Sequence, residues 1–204
     1  MYPIKTPSML KPFAKDLLWH IQSSEKRIYL TFDDGPTPDI TEEVLRRLSR
    51  YNAKATFFCV AKNIVAYPEL YNRILSLGHH VGNHTFDHLD GWKTSNFSYY
   101  RNVLLAKKAC NSKLFRPPYG RITPGQVMSL KQRFTIVMWD VLSADFDSDV
   151  SPEQCLKNVT EHAVSGSIVV FHDSIKAHKK MLYALEGTLD YFTGMNFEFH
   201  ALPQ

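Results

Sequence analysis

Short apolar runs alternate with longer amphipathic stretches along almost the whole chain, and this alternation constrains the fold more than any other feature. Residues 27–32 (RIYLTF), 54–60 (KATFFCV), 79–84 (HHVGNH), 113–116 (KLFR), 134–141 (FTIVMWDV), 166–172 (GSIVVFH) and 196–202 (NFEFHAL) read as strands. Between them, residues 39–52, 68–78, 96–110, 124–133, 151–163 and 179–192 carry helical periodicity. In 39–52 the apolar positions are Ile40, Val44, Leu45 and Leu48, with Asp39 or Thr41 as the expected N-cap. Pro152 follows a capping Ser151, and Pro68 opens a helix that Gly78 closes. Strand–helix alternation means parallel strands covered by helices. About seven such strands can close into a barrel or stay open as a doubly wound sheet, and spacing does not choose.

At 204 residues the chain suits one domain. We expect residues 1–26 to be an N-terminal extension and residues 27–204 the main folded domain. Apolar content of 44% and charged content of 22% are those of a globular protein. The net charge of +4 comes without a Lys/Arg block, which excludes nucleic acid as the expected partner. Lys107-Lys108 and Lys179-Lys180 read as solvated helix faces. No apolar run approaches the roughly 20 residues of a membrane span. The first residues lack the apolar core and small-residue cleavage site of a secretory leader, so the expected location is the cytoplasm, a removed leader being the alternative. Cys59, Cys110 and Cys155 have no metal-ribbon spacing, and Cys59 in its apolar run reads as a buried thiol. A monomer is the expected state.

In parallel α/β folds, working groups collect where strands end. Asp33 and Asp34 follow the first strand, His84 and His88 the third, and Arg116 the fourth. Asp145 follows the fifth and His172 ends the sixth. Adjacent carboxylates repel each other, and burial sharpens the repulsion, so this pair calls for positive charge nearby. An Asp-Asp-Gly-Pro turn alone would need no chemistry; ionisable groups at five strand ends make that reading insufficient.

His84 and His88 have i, i+4 spacing, which on a helical turn puts both rings on one face. With one Asp from another strand end they suit a divalent ion of the zinc class, leaving a position for water. The second Asp would then take a proton from that water. Arg116 can pair with this base, His172 can protonate a leaving group, and Asp145 can raise the His172 pKa. Such a set suits hydrolysis of an amide or ester.

With these blocks in place the chain resembles the polysaccharide deacetylases of the NodB-homology group, carbohydrate esterase family four. The matching blocks are TFDDGP (31–36), HTFDH (84–88), RPPYGRITP (116–124), WDVLSADF (139–146) and IVVFH (168–172), in order from Arg27 to Leu202. The resemblance implies a distorted (β/α) barrel of about seven strands. It implies Asp33 as catalytic base, Asp34, His84 and His88 as metal ligands, and Arg116 as the tether of the base. It implies Tyr119 as the backbone N–H donor to the oxyanion in a loop shaped by Pro117, Pro118 and Gly120. His172 becomes the acid, Asp145 its tuning carboxylate, and Val170 a wall of the acetyl-methyl pocket. Zinc is the implied ion, with cobalt, nickel or manganese as alternatives, and an acetylated saccharide the implied substrate.

The chain departs from the family at Leu142, where an Asp is usual, and at Phe146, where a Trp is usual, which alters the aromatic wall of the groove. His80 stands where many relatives carry Glu. The expected reaction is removal of acetyl from an N-acetylated amino sugar of chitin-oligomer or peptidoglycan type. An O-acetyl xylan esterase would use the same site. A silent glycan-binding relative would lack a catalytic residue, and none is missing. His20, His79, His162, His178 and His200 read as surface or core histidines, Trp139 and Phe171 as core. Trp92 reads as either a packing residue or a sugar platform, and Asp87 as a loop partner.

Overall fold

The computed structural model describes residues 2–7 and 15–204. Residues 1 and 8–14 of the expected extension lie outside the described residues. The strands are β1 (Leu17–Leu18), β2 (Arg27–Asp34), β3 (Ala55–Cys59), β4 (His80–Asn83), β5 (Leu114–Phe115), β6 (Thr135–Val137), β7 (Val141–Leu142), β8 (Ile168–His172) and β9 (Glu198–Phe199). The helices are α1 (Ile40–Arg50), α2 (Ala61–Ala66), α3 (Pro68–Ser76), α4 (Asn96–Ala109), α5 (Pro124–Leu130), α6 (Pro152–Thr160) and α7 (His178–Gly194). The sheet runs β1-β6-β5-β4-β3-β2-β8-β7 with every named pair parallel, and β9 pairs with the start of β2.

The run 134–141, expected as one strand, is two. Its first half, β6, lies between β5 and β1, whereas its second half, β7, pairs with β8 at the other end of the order. Residues 138–140 bridge the gap: the Met138 N–H donates to Leu18 O (2.7 Å) and the Asp140 N–H to Ile168 O (3.0 Å). One bent segment therefore joins both ends of the sheet. This decides between closed and open forms, and the result is a distorted barrel.

Residues before Arg27 are built into this seam. Besides β1, Lys5 forms an antiparallel bridge with Val141, and the Leu142 N–H donates to Ile4 O (2.9 Å). The Lys5 ammonium meets the buried Asp140 carboxylate at 2.6 Å.

Side chains of β2 alternate as a pleated strand requires. Ile28, Leu30 and Phe32 join the core beneath the helices, with Val44, Leu45, Leu48, Met181 and Leu185. Phe32 stacks on Phe57 (5.0 Å) and Phe171 (5.9 Å), its register partners on either side. Tyr29 belongs to the barrel interior with Phe58, Leu114, Val137 and Ile168. Thr31 and Asp33 have the same parity as Tyr29, so β2 sends a hydroxyl and a carboxylate inward just below the mouth.

Helix α1 starts at Ile40, and Asp39 makes no side-chain cap; it sits at φ 62°. Thr41 lies inside the helix and its hydroxyl bonds Asp173 instead. Helix α2 was not anticipated, its six residues being too few for periodicity to register.

Gly82 on β4 lies against Phe58: an added Cβ would sit 2.4 Å from the ring. Phe58 in turn supports the Arg116 guanidinium, 4.1 Å from its centroid. Gly82→Ala should therefore cost about 1–3 kcal/mol by overpacking. Urea unfolding should show a lower midpoint at unchanged m; an unchanged midpoint would contradict this packing.

Candidate active site

The site is built around a buried arginine. Arg116, just after β5, is 0% exposed. Its Nη1 lies 2.7 Å from Asp33 Oδ1 and 2.7 Å from Thr31 Oγ1. Its Nη2 and Nε donate to the carbonyls of Met138 (2.9 Å) and Val137 (3.4 Å), where β6 bends. A buried guanidinium needs its donors met and its charge balanced. Asp33, only 4% exposed, is the balancing charge.

Asp34 would point outward under strict alternation. Its φ of 85° ends the pleat and turns the carboxylate into the mouth. There it joins His84 and His88, and ligand atoms of the three lie within 4.8 Å of one another. The two histidines are not on a helical turn, as their spacing had suggested. Residues 84–88 form a loop in which Thr85 (φ 64°) and His88 (φ 57°) are left-handed, and the rings converge through that geometry, 5.1 Å apart.

These residues fit a divalent ion. His84 Nδ1 lies 2.8 Å from Arg116 O. A carbonyl can only accept, so Nδ1 carries the proton and Nε2 presents its lone pair to Asp34 Oδ1, 3.8 Å away. Burial pushes the His84 pKa down to about 4, which keeps the ring neutral. Asp34 Oδ1 is buried and accepts no hydrogen bond of good geometry, although His88 Nε2 is 3.1 Å away. Burial works against the Asp34 charge, but His88, His172 and His84 outweigh it and hold the carboxyl well below the usual range. An ionised carboxylate facing two imidazoles is a ligand set of the zinc class.

His172 ends β8, which pairs with β2 in register Asp33↔His172. Asp145 grips it twice: Nδ1 donates to Oδ1 (2.7 Å) and the backbone N–H to Oδ2 (2.8 Å). Burial alone would lower the His172 pKa, but the Asp145 charge and hydrogen bond overcome it and raise it to about 9. The ring is therefore an acid at neutral pH.

A single cleft is lined by Asp33, Asp34, His84, His88, His172 and Val170, and also by Tyr119, Leu142 and Phe146. Tyr119, at φ 59° in the 3-10 turn Pro118–Gly120, packs edge-on against His88 (4.8 Å). Pro118 is buried beneath it. Phe146 packs edge-on against His172 (5.2 Å). Because β5 and β7 lie on opposite sides of β2, the cleft has an aromatic wall on each side of the carboxylates.

The remaining singled-out residues separate clearly. His79 is buried and accepts the Ala55 N–H through Nδ1 (3.2 Å), a core histidine. Phe171 is core, whereas Trp139 is half-buried and reaches the cleft beside Gly120. Trp92 is 66% exposed with Arg121 5.2 Å from its ring, so it is not a packing residue. Asp87 accepts from Asn102 of α4 (2.7 Å). Cys59, Cys110 and Cys155 are free and buried, and burial raises the Cys59 thiol.

Asp173 was missed. It is fully buried, accepts the Gly35 N–H (3.1 Å) and the Thr41 hydroxyl (2.5 Å), and so holds the turn after Asp34. Burial, reinforced by Asp34, pushes its pKa up to about 8. Its only signal in the sequence is adjacency to His172 at a strand end. Tyr2 also lines the cleft and gave no signal.

Comparison with known proteins agrees with this construction. The family model described as polysaccharide deacetylase matches residues 20–133, over half of the 204. A peptidoglycan-N-acetylglucosamine deacetylase of Bacillus cereus is 32% identical over 174 residues, covering 82% of this chain and 61% of the relative. The chain thus spans less than two thirds of that relative's length. A chitooligosaccharide deacetylase of Bradyrhizobium is 30% identical over 201 residues, covering 89% of this chain and 91% of the relative. The crystal structure of the Bc1960 peptidoglycan N-acetylglucosamine deacetylase superposes with a TM-score of 0.88 at 29% identity, covering 95% of each chain. The barrel, its strand-end residues and these matches together make the chain a member of the polysaccharide deacetylase family.

Proposed function

We propose that this protein hydrolyses the N-acetyl group of an amino sugar within a glycan, releasing acetate and leaving a free amine. The observation that carries the reading is the division of labour in one cleft. A carboxylate paired to Arg116 and an imidazole paired to Asp145 flank the Asp34, His84 and His88 cluster. One relative is named for deacetylation of peptidoglycan N-acetylglucosamine and the other for deacetylation of a chitooligosaccharide, which supports the substrate class.

A divalent cation held by Asp34, His84 and His88, zinc in our reading, would polarise the acetyl carbonyl and acidify water. Asp33 takes the proton of the attacking water as its oxygen bonds to the carbonyl carbon. Arg116 fixes the Asp33 carboxylate in position through a 2.7 Å contact. The Tyr119 N–H donates to the developing oxyanion, which the left-handed turn would aim into the cleft. His172 then gives its proton to the amide nitrogen as the C–N bond breaks, and the amine leaves neutral. Val170, only 1% exposed and in the cleft lining, provides an apolar seat for the acetyl methyl.

The test is acetate release from N-acetylglucosamine oligomers, peptidoglycan fragments and acetylated xylan, each with and without chelator. Chelator-sensitive release from the first two is expected; release from xylan alone would replace the amide reading with an ester one. Asp33→Asn should lower kcat by about 10²–10⁴ while cobalt titration still shows stoichiometric binding. Asp34→Ala should lose both turnover and cobalt binding. Near-normal turnover in Asp33→Asn would remove it as the base.

The acid assignment has its own pH signature. His172 must be protonated, so kcat/KM should hold below and fall as pH rises through about 9. In Asp145→Asn the supporting charge is gone, and the falling limb should move down toward the ordinary histidine value of 6.5. A limb that stays in place would mean that another group titrates.

A further inference from the structure

We propose that residues 2–6 form a strap that builds one wall of the cleft, and that Tyr2 is a specificity-determining residue stacking against the sugar ring. The proposal rests on the glycan reading above.

The strap is firmly attached. Ile4 O accepts the Leu142 N–H (2.9 Å) and Lys5 bridges Val141 in antiparallel fashion. The Thr6 N–H donates to Asp140 O (2.9 Å) and its hydroxyl to Trp139 O (2.8 Å). The Lys5 ammonium contacts the buried Asp140 carboxylate (2.6 Å) and the His162 carbonyl (2.8 Å). These bonds extend β7 by a further strand-like piece and carry the chain to the mouth of the barrel.

Tyr2 is where the strap reaches the cleft. Its ring packs on Phe146 at 5.3 Å and 50°, and its hydroxyl donates to Asp147. Phe146 packs in turn on His172. The phenol oxygen is engaged by Asp147, so Tyr2 offers the cleft ring surface rather than a free donor. Together with Phe146 it makes a continuous aromatic wall beside the acid. A pyranose has an apolar C–H face that such a wall can cover, and aromatic rings supply large contact area. None of the strap's backbone bonds involves the Tyr2 side chain, so truncating that side chain leaves the attachment in place.

The test pairs kinetics with binding. With N-acetylglucosamine oligomers, Tyr2→Ala should raise KM by about two- to tenfold at unchanged kcat, and Tyr2→Phe should behave as the parent. In the Asp33→Asn background, calorimetric titration with the same oligomer should show the same two- to tenfold loss for Tyr2→Ala. If no acetate is released by the parent, the deacetylase reading fails and the titration still judges Tyr2. Unchanged KM and Kd would overturn the proposal. A fall in kcat at constant KM would also overturn it, by making Tyr2 a support for His172. Absence of oligomer binding to Asp33→Asn would overturn it too. If Tyr2→Ala lowers Tm, the Tyr2→Phe comparison decides, since that variant keeps the ring and loses only the bond to Asp147.

Discussion

Arg116 is the constraint on which the rest of the site depends. Burying a guanidinium is expensive unless each donor and the charge are met. The cost is offset by Asp33 and Thr31 from β2, the carbonyls of Val137 and Met138 at the bend, and the Phe58 ring from β3. Its own backbone joins in, since the Arg116 N–H donates to Asn83 O and Arg116 O receives the His84 ring proton. One residue thus ties β2, β3, β4, β5 and β6 at their upper ends. It also fixes the Asp33 carboxylate and the tautomer of His84 together. Stability of the barrel mouth and competence of the site are consequently the same set of bonds.

The adjacent carboxylates are made compatible by geometry. Asp33 continues the pleat inward to Arg116, and Asp34, at φ 85°, leaves it for the histidine cluster. Each carboxylate meets a different set of positive or proton-bearing groups, so neighbours in sequence can hold different roles. Asp173 keeps this arrangement from relaxing by holding Gly35 and Thr41, and a Cβ on Gly35 would overlap its carboxylate, 2.1 Å from Oδ2. The raised pKa of Asp173, about 8, follows from placing a third carboxyl in this crowded, buried position.

Much of this was legible because strand periodicity and strand-end chemistry are local. The runs around Leu30, Phe57 and Val169 announce buried parallel strands, and the ionisable residues at the ends of the first and last of these fall on one rim. Closure was not legible in strand spacing, and only the family resemblance implied it. It depends on a bend at residues 138–140 whose causes, Arg116, Leu18 and Ile168, are remote in sequence. The helical reading of His84 and His88 failed for a related reason: i, i+4 spacing is also reached by a loop with left-handed residues at Thr85 and His88. The segment before Arg27 looked like an extension because two-residue pairing such as Leu17–Leu18 leaves no periodic trace. Tyr2 and Asp173 act only through tertiary neighbours and carry no motif of their own.

The two halves of the site rest on different parts of the barrel. Asp33, Asp34 and His84 sit on or beside β2 and β4, joined through β3 by unbroken parallel ladders. His172 sits on β8, but the residues that tune and cover it, Asp145 and Phe146, follow β7, the short strand beyond the seam. β7 has two residues and takes its outer partner from Ile4 and Lys5. His172 itself is therefore held with Asp33, Asp34 and His84 by the continuous sheet, and only the residues that tune and cover it by a seam that Ile4 and Lys5 extend. Local opening free energies follow such differences in ladder length and buried contact. The seam has the shorter ladders of the barrel, and Leu142, Phe146 and Tyr2 line the cleft on that side. A change in the shape of the cleft on that side leaves the Arg116 bonds to Asp33, Thr31, Val137 and Met138 in place.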